Sequence, residues 1–182
     1  MDEQLEFLKK IASRLDAGRI PYMLTGSLAM AIYAVPRMTR DIDLVIDCVP
    51  GDAGKIARLF EPDCYVDRDQ IREAVMSRSM FNIIHNESVI KADFIVRKDE
   101  KYRKLEFERR REFKIEGTKI SIVAPEDLVL SKLLWSRDTT SELHRRDIRS
   151  IMHAVAKLDW RYLEKWAGSL GLTAQLEEIR KK

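Results

Sequence analysis

The sequence predicts an α/β fold in which a sheet is flanked by helices and followed by a C-terminal helical appendage. Short apolar segments with alternating side chains, typical of strands, recur between residues 41 and 123. After residue 125, the apolar residues recur instead at helical spacing. This change places the boundary at Pro125, with a sheet domain over residues 1–124 and a helical part over residues 125–182 packed on it.

The composition excludes several classes of protein. The chain has 182 residues, and its net charge of +3 is too small to predict a nucleic-acid binder by itself. Its acidic start lacks the pattern of a signal peptide, and no apolar segment reaches the ~18 residues that a membrane span needs. Cys48 and Cys64 are too few for a disulfide framework or a zinc site. The sequence therefore predicts a soluble cytoplasmic protein with free thiols and no membrane contact.

The other elements follow from local patterns in chain order. A helix that ends at Gly18 leads to a second helix over residues 28–35, which Pro36 ends because proline disfavours helical geometry in the residue before it. Later segments predict helices over residues 53–60 and 70–77, the second capped by Asp69, and strands over residues 80–85, 89–96, 107–115 and 119–123. The arginines at 109–111 fit either a charge-protected edge strand or a contact with a nucleic-acid backbone.

Two acids lie in an apolar strand that begins soon after Pro36. Asp41 and Asp43 are two residues apart, so a strand turns both to one face while Ile42 and Leu44 face the other way. Two unit charges about 4 Å apart near a protein surface repel by roughly 4 kcal/mol. Acids kept side by side despite this repulsion indicate a bound cation, and Mg²⁺ prefers carboxylate oxygens together with substrate phosphates. The alternative is a pair of strand-end acids that simply face water.

Gly26-Ser27, followed after thirteen residues by Asp41-x-Asp43, resembles the signature of the DNA polymerase β-like nucleotidyltransferase superfamily. In that superfamily a glycine turn opens a helix, and an acid-x-acid strand follows at about this spacing. The resemblance is closest over residues 22–47. It implies a nucleotidyltransferase-like mixed sheet flanked by helices, and an enzyme that transfers a nucleoside monophosphate from a nucleoside triphosphate to a hydroxyl acceptor.

A longer match narrows the resemblance. The form Arg37-x-Thr39-x-Asp41-x-Asp43 is similar to the small bacterial nucleotidyltransferases of the abortive-infection toxin type. The superfamily carries a third acid on a later strand, and Asp93 supplies a candidate, since alternation along its strand turns it away from the apolar side chains. The toxin-type resemblance implies RNA, above all tRNA, as the first choice of acceptor, ahead of a protein or an antibiotic hydroxyl. It also implies an antitoxin as a partner.

The resemblance also implies the metal chemistry. Two Mg²⁺ ions about 3.5–4 Å apart can stabilise the attacking and leaving oxygens of such a transfer. Asp41 and Asp43 would bind both ions, and Asp93 would be the third ligand and a candidate proton acceptor. Each of the three acids is therefore predicted to be both catalytic and metal-binding.

Five residues are candidate contacts of the nucleotide, and ATP is one candidate for that nucleotide. Gly26 would let the backbone approach the phosphates, and Ser27 would offer its hydroxyl and nearby N–H groups to the anion or serve as a helix N-cap. Arg37 and Arg40 would neutralise phosphate charge or else pair with Asp41 or Asp47. Lys132 matches a lysine that faces the nucleotide in the abortive-infection type, although a lysine beside an apolar stripe usually snorkels to solvent.

Two other functions stay open. Arg146 and His153 lie seven residues apart on one helical face and resemble the Arg-His pair of a family of helical ribonucleases, which would cleave RNA by acid–base catalysis. Another interpretation keeps the fold without the catalysis, as a nucleotide-binding or toxin-neutralising module. Asp147 resembles an acid of the abortive-infection type, but a salt-bridged helix acid is the simpler account.

Overall fold

The computed structural model of the chain describes residues 2–39, 41–137 and 142–181. Its strands are Tyr22–Thr25 (β1), Asp41–Ile46 (β2), Cys64–Tyr65 (β3), Met80–His85 (β4), Lys91–Val96 (β5), Arg111–Ile115 (β6) and Thr118–Ile122 (β7). Its α-helices are Asp2–Ala17 (α1), Gly26–Tyr33 (α2), Ala53–Phe60 (α3), Arg68–Ser77 (α4), Lys101–Glu108 (α5), Pro125–Arg137 (α6), Glu142–Ala154 (α7), Trp160–Leu170 (α8) and Thr173–Arg180 (α9), and a 3-10 turn covers Pro50–Asp52. None of the helices in these described ranges is long and apolar enough to cross a membrane.

The seven strands form one mixed sheet in the order β3-β4-β5-β2-β1-β7-β6. The central strand β2 runs antiparallel to β1 and parallel to β5. The predicted α/β fold, a mixed sheet flanked by helices with helical C-terminal elements, is therefore confirmed. The division of the chain at residue 124 stays a prediction.

Strand β2 has one apolar side and one side that carries the acids. Ile42, Leu44 and Ile46 are fully buried, whereas Asp41 and Asp43 alternate with them and stay partly exposed. On the apolar face, rings of α1 and α3 pack against rings of β4 and β5. Full burial of one such aliphatic side chain contributes about 1.5–3 kcal/mol. A slip of one residue would turn the acids into this core, so the burial fixes the register that positions them.

The structure corrects the predicted cap of α4. This helix begins at Arg68, because the Asp67 carboxylate accepts hydrogen bonds from the backbone N–H groups of Asp69 and Gln70, both at 3.0 Å. Asp69, the predicted cap, lies in the first turn instead. A negative side chain is also favourable there, next to the positive end of the helix dipole.

Helix α6 lies inside the helical layer, where it packs on α2, α7 and α8. Its residues 128–133 are all buried, and Lys132 is among them. An ionised group inside such a helix needs a charged or hydrogen-bonding partner, because burying a lone charge is very costly. Helix α6 thereby joins the C-terminal helices to α2, whose first residue adjoins the acidic strand.

Candidate active site

Strand pairing brings the three acids of interest to one face of the sheet. In the β2–β5 pair, Asp43 lies opposite Asp93, and Asp41 lies opposite Lys91. On the other side of β2, Asp43 lies opposite Thr25, the last residue before α2. Residues directly opposite in neighbouring strands share a face, so Asp93 lies beside Asp43 and not in the core. The catalytic and metal-binding roles of these acids stay predictions.

Gly26 leaves the space that the Asp43 carboxylate occupies. The φ angle of Gly26 is +67°, in the left-handed region that glycine adopts without steric cost. A Cβ atom at residue 26 would lie 1.9 Å from Asp43 Oδ2, far inside van der Waals contact. The glycine turn therefore lets this carboxylate lie directly against the start of α2.

Ser27 does not cap α2, so that alternative is wrong. Thr25 occupies the N-cap position, and its side chain makes no capping hydrogen bond. Ser27 is buried, and its Oγ accepts a hydrogen bond from the guanidinium of Arg37, which lies beyond the other end of the helix. The hydroxyl of Ser27 is thus fixed by a cation at the start of α2.

Asp93 has an incomplete set of partners. Its residue is 8% exposed, and its Oδ1 atom has no hydrogen-bond partner. Its Oδ2 atom is ion-paired with Lys91 Nζ at 2.9 Å, and the same ammonium lies 3.8 Å from Asp41 Oδ1. Leaving a buried polar atom unpaired costs about 1–3 kcal/mol. Lys91 was missed by the sequence analysis, although its place two residues before Asp93 on the same strand face was a usable signal.

The pKa of the Asp43 carboxyl is raised above its ordinary value. Burial is the largest cause, and the negative charges of Asp93 and Asp41 add to it. A hard divalent cation would remove this repulsion and would take the unpaired oxygen of Asp93 as a ligand. Within the described ranges, no three His, Cys, Asp or Glu side chains already converge as a metal site, and the Lys91 ammonium lies between two of the acids. The donor set therefore fits Mg²⁺ once Lys91 moves aside.

A buried ion cluster lies beside Ser27. Asp147 Oδ2 accepts from Lys132 Nζ at 2.8 Å, and Asp147 Oδ1 lies 3.2 Å from Arg37 Nε. Lys132 is 1% exposed, so the alternative that it snorkels to solvent is wrong, and burial lowers the pKa of its ammonium. Asp147 is a salt-bridged helix acid, and it takes the place of a β2 acid as the partner of Arg37. Arg40, the other predicted phosphate contact, lies outside the described residues.

A cleft of about 610 Å³, a size typical of ligand sites, opens beside Asp43, whereas Asp41 and Asp93 are not among its lining residues. Thr25 and Asp43 form part of its wall, and residues of β5, α4, α5 and α6 form much of the rest. Its lining includes four basic residues and one indole, namely Arg78, Arg97, Lys98, Arg103 and Trp135. Arg97 is ion-paired with Asp47 at 2.9 Å and Arg103 with Glu106 at 2.7 Å, so part of this positive charge is compensated internally.

Other residues of interest do not line this cleft. The predicted strand over residues 107–115 is wrong at its start, because α5 runs to Glu108 and β6 begins only at Arg111. Arg109 therefore does not protect the edge strand but is ion-paired with buried Asp127 at 2.9 Å, while β6 itself lies at the sheet edge. Arg146 and His153 are exposed on α7, with His153 Nδ1 2.7 Å from the carbonyl oxygen of Arg149. The ribonuclease alternative also required a helical fold, which the seven-stranded sheet contradicts.

No protein-family profile and no curated protein matches the sequence. Solved structures do match the fold. The antibiotic-resistance factor ANT(2'')-Ia is 17% identical with a TM-score of 0.61, and the alignment covers 100% of this chain and 99% of that chain. The lincosamide antibiotic adenylyltransferase LnuA, solved with bound lincomycin, is 16% identical with a TM-score of 0.56, covering 85% of this chain and 98% of that chain.

A third solved structure has a similar fold. The antigenic nucleotidyltransferase-like protein from Paracoccidioides brasiliensis is 20% identical with a TM-score of 0.56, and the alignment covers 84% of this chain and 75% of that chain. At these identities the likeness shows a nucleotidyltransferase-like fold, as the sequence predicted. The narrower resemblance to the abortive-infection type stays a prediction.

Proposed function

We propose that this protein is a Mg²⁺-dependent nucleotidyltransferase that moves a nucleoside monophosphate from a nucleoside triphosphate to a hydroxyl acceptor. A fold hosts many functions, so the proposal depends on the site. The observation that carries it is the position of Asp41, Asp43 and Asp93 on one face beside a helix opened by Gly26, with Asp93 Oδ1 left unpaired. Buried structural acids are normally fully hydrogen-bonded, and this one is not.

The acids have distinct roles in the proposed reaction. The acceptor hydroxyl attacks the α-phosphorus, a new P–O bond forms, and the bond to the pyrophosphate oxygen breaks. Asp93 accepts the hydroxyl proton through the carboxylate oxygen that does not hold the metal. Asp41 and Asp43 hold the metal with Asp93, and Mg²⁺ when bound would neutralise charge on the attacking and leaving oxygens.

The start of α2 binds the phosphates in this proposal. The first N–H groups of a helix lack partners within the helix, and Thr25 supplies none through its side chain. Arg37 and Lys132 add two positive charges beside Ser27, and Asp147 compensates one of them. The net positive charge of these three residues offsets the Asp43 carboxylate beside Gly26, so the N–H groups at the start of the helix stay able to bind an anion.

We propose RNA as the acceptor, with tRNA first. The basic lining of the cleft suits a phosphate backbone, and the partly exposed Trp135 suits a stacked base. An antibiotic hydroxyl is the competing acceptor, because one protein of similar fold is a lincosamide antibiotic adenylyltransferase solved with bound lincomycin. A toxin role with a cognate antitoxin is supported by the sequence resemblance of residues 22–47 alone.

Incubation with each α-labelled nucleoside triphosphate, Mg²⁺ and a cell lysate tests the proposal, because the labelled fraction identifies the acceptor. We expect label in RNA, and we expect Asp41→Asn and Asp43→Asn to abolish it while the variants stay folded in thermal melts. Wild-type labelling by either variant would contradict the site. Label in the protein or small-molecule fraction would support nucleotidyl transfer but contradict RNA as the acceptor. Triphosphate binding without any labelling would indicate the non-catalytic module.

A further inference from the structure

Lys91 reaches two of the three carboxylates of the candidate site. It is the first residue of β5, it lies opposite Asp41, and it shares a strand face with Asp93. Its Nζ atom lies 2.9 Å from Asp93 Oδ2 and 3.8 Å from Asp41 Oδ1. The ammonium is thus the counter-ion of the acids in the structure.

The Lys91 ammonium lies where a shared metal ion would bind. An ion held by both Asp41 and Asp93 must come within about 2.1 Å of an oxygen of each. The ammonium already contacts one of these carboxylates and adjoins the other. Two cations cannot lie together in this space without strong repulsion. Metal binding therefore requires Lys91 to leave Asp93.

Lys91 is able to leave. Its side chain is 39% exposed, and a lysine carries its charge on a flexible four-carbon stem. Lys132, the other lysine near the acids, is 1% exposed and held inside by Asp147. Displacing Lys91 moves a charge from the site edge into water, whereas displacing Lys132 would leave a charge unpaired in the interior.

We propose that Lys91 competes with the divalent metal ion for Asp93 and Asp41, so that the metal binds tightly only together with the triphosphate. A metal ion alone must break the ion pair and then lie next to the displaced ammonium. A triphosphate that enters with the metal supplies oxygens that pair with the displaced Lys91. Lys91 thereby makes metal binding conditional on the nucleotide. This proposal rests on the proposed function for the identity of the two ligands.

Mn²⁺ binding, followed by electron paramagnetic resonance, tests Lys91 without any assay of activity. The variants are Lys91→Gln, which removes the charge, and Lys91→Arg, which keeps it. Lys55→Gln is the matched control, because Lys55 is 38% exposed and is ion-paired with Asp52 at the same 2.9 Å, away from the acids on α3.

Without nucleotide, we expect Lys91→Gln to bind Mn²⁺ at least tenfold more tightly than wild type, and we expect the other two variants to match wild type within threefold. With a non-hydrolysable triphosphate, the advantage of Lys91→Gln should shrink to less than threefold. Melting temperature gives a second readout, since a ligand bound by the folded state raises it: added Mn²⁺ alone should raise that of Lys91→Gln more than that of wild type.

Two outcomes would overturn the Lys91 proposal. One is equal or weaker Mn²⁺ binding by Lys91→Gln, and the other is an equal gain in Lys55→Gln. If wild type still binds Mn²⁺ with the triphosphate in either case, the proposed function stands and only the role of Lys91 fails. If neither wild type nor Lys91→Gln binds Mn²⁺ even with the triphosphate, both proposals fail.

Discussion

Two groups of buried acids differ in how the protein compensates their charge. At the start of α6, Asp127 is fully buried and accepts hydrogen bonds from Tyr162 Oη at 2.6 Å, Arg109 Nε at 2.9 Å and Tyr102 Oη at 3.3 Å. On the open sheet face, Asp93 is nearly as buried, yet one of its oxygens has no partner. The first acid joins three helices through these hydrogen bonds, whereas the second keeps one oxygen without a partner.

The pKa directions separate the two groups in the same way. Burial raises the pKa of both Asp43 and Asp127 and is the largest cause for each. For Asp127, hydrogen bonds from Tyr162 and Arg109 oppose the shift, whereas for Asp43 the charges of two further acids add to it. A buried network in which every polar group has a partner stabilises a fold. A buried group of acids whose charges are not compensated indicates a candidate binding site.

The largest effect on stability should come from Asp127→Asn. This change removes one of the two buried carboxylates that pair with Arg109, leaving Glu126 at 3.1 Å, so the loss should lie at the low end of the ~3–5 kcal/mol that breaking a buried pair from one side costs. Urea unfolding should show a loss of roughly 3 kcal/mol. A loss below about 1 kcal/mol would mean that the α6 network contributes as little as an exposed pair, and the contrast between the two groups would disappear.

Gly26→Ala should show that the glycine turn serves the acids. Gly171→Ala is the matched control, because its φ is +70° and its Cβ would meet nothing within 4 Å. Both variants should lose about 1–2 kcal/mol from left-handed strain. Gly26→Ala should in addition lower nucleotidyl transfer about 100-fold, because it displaces Asp43. Equal rates of nucleotidyl transfer by the two variants would show that Gly26 does not position the catalytic acids.

Asp43→Asn should stabilise the metal-free protein, unlike Asp127→Asn. A raised pKa means that the folded state holds the proton better than the unfolded state, and at Asp43 the charges of Asp93 and Asp41 add to the effect of burial. The pKa of Asp127 is also raised by burial, but there the loss of the charge would also take a charged partner from Arg109. The resulting stability is complete below the ordinary aspartate pKa and is lost as pH rises through the raised value. At pH 7 in EDTA we expect a gain of about 1 kcal/mol, a fraction of the ~4 kcal/mol between close charges near a surface.

Urea titrations of wild type and Asp43→Asn from pH 4 to pH 7 measure this effect. The stability of wild type should fall more steeply with pH than that of the variant. If the variant is the less stable protein at pH 7, the Asp43 charge is compensated, and the sheet-face acids are structural like those of α6.

The smallest effect should come from His153→Ala. His153 is exposed, and its Nδ1 atom lies 2.7 Å from a backbone oxygen of its own helix, so stability should change by less than about 0.5 kcal/mol. Nucleotidyl transfer should stay within twofold of wild type. If the wild-type protein cleaves RNA in EDTA and His153→Ala removes that cleavage, the ribonuclease alternative is right.

The local patterns predicted most elements, because strand alternation and helix periodicity depend on residues that are close together in the sequence. Helix α3 has the predicted bounds, and Asp93 lies on the polar face that alternation indicated. The contacts that hold the site were not predictable in this way. Arg37 pairs with Asp147 across 110 residues of sequence, and Lys132 is buried only because α6 packs on helices from both ends of the chain.

The central claim is that the under-compensated acids of the sheet face transfer a nucleotide, and Asp93→Asn tests it most directly. The measurement is incorporation of α-phosphorus label into purified RNA in Mg²⁺, with thermal melts of the same preparations. The account predicts a loss of about 1,000-fold in labelling rate with the melting temperature kept within a few degrees of wild type. Labelling by Asp93→Asn at the wild-type rate would contradict it.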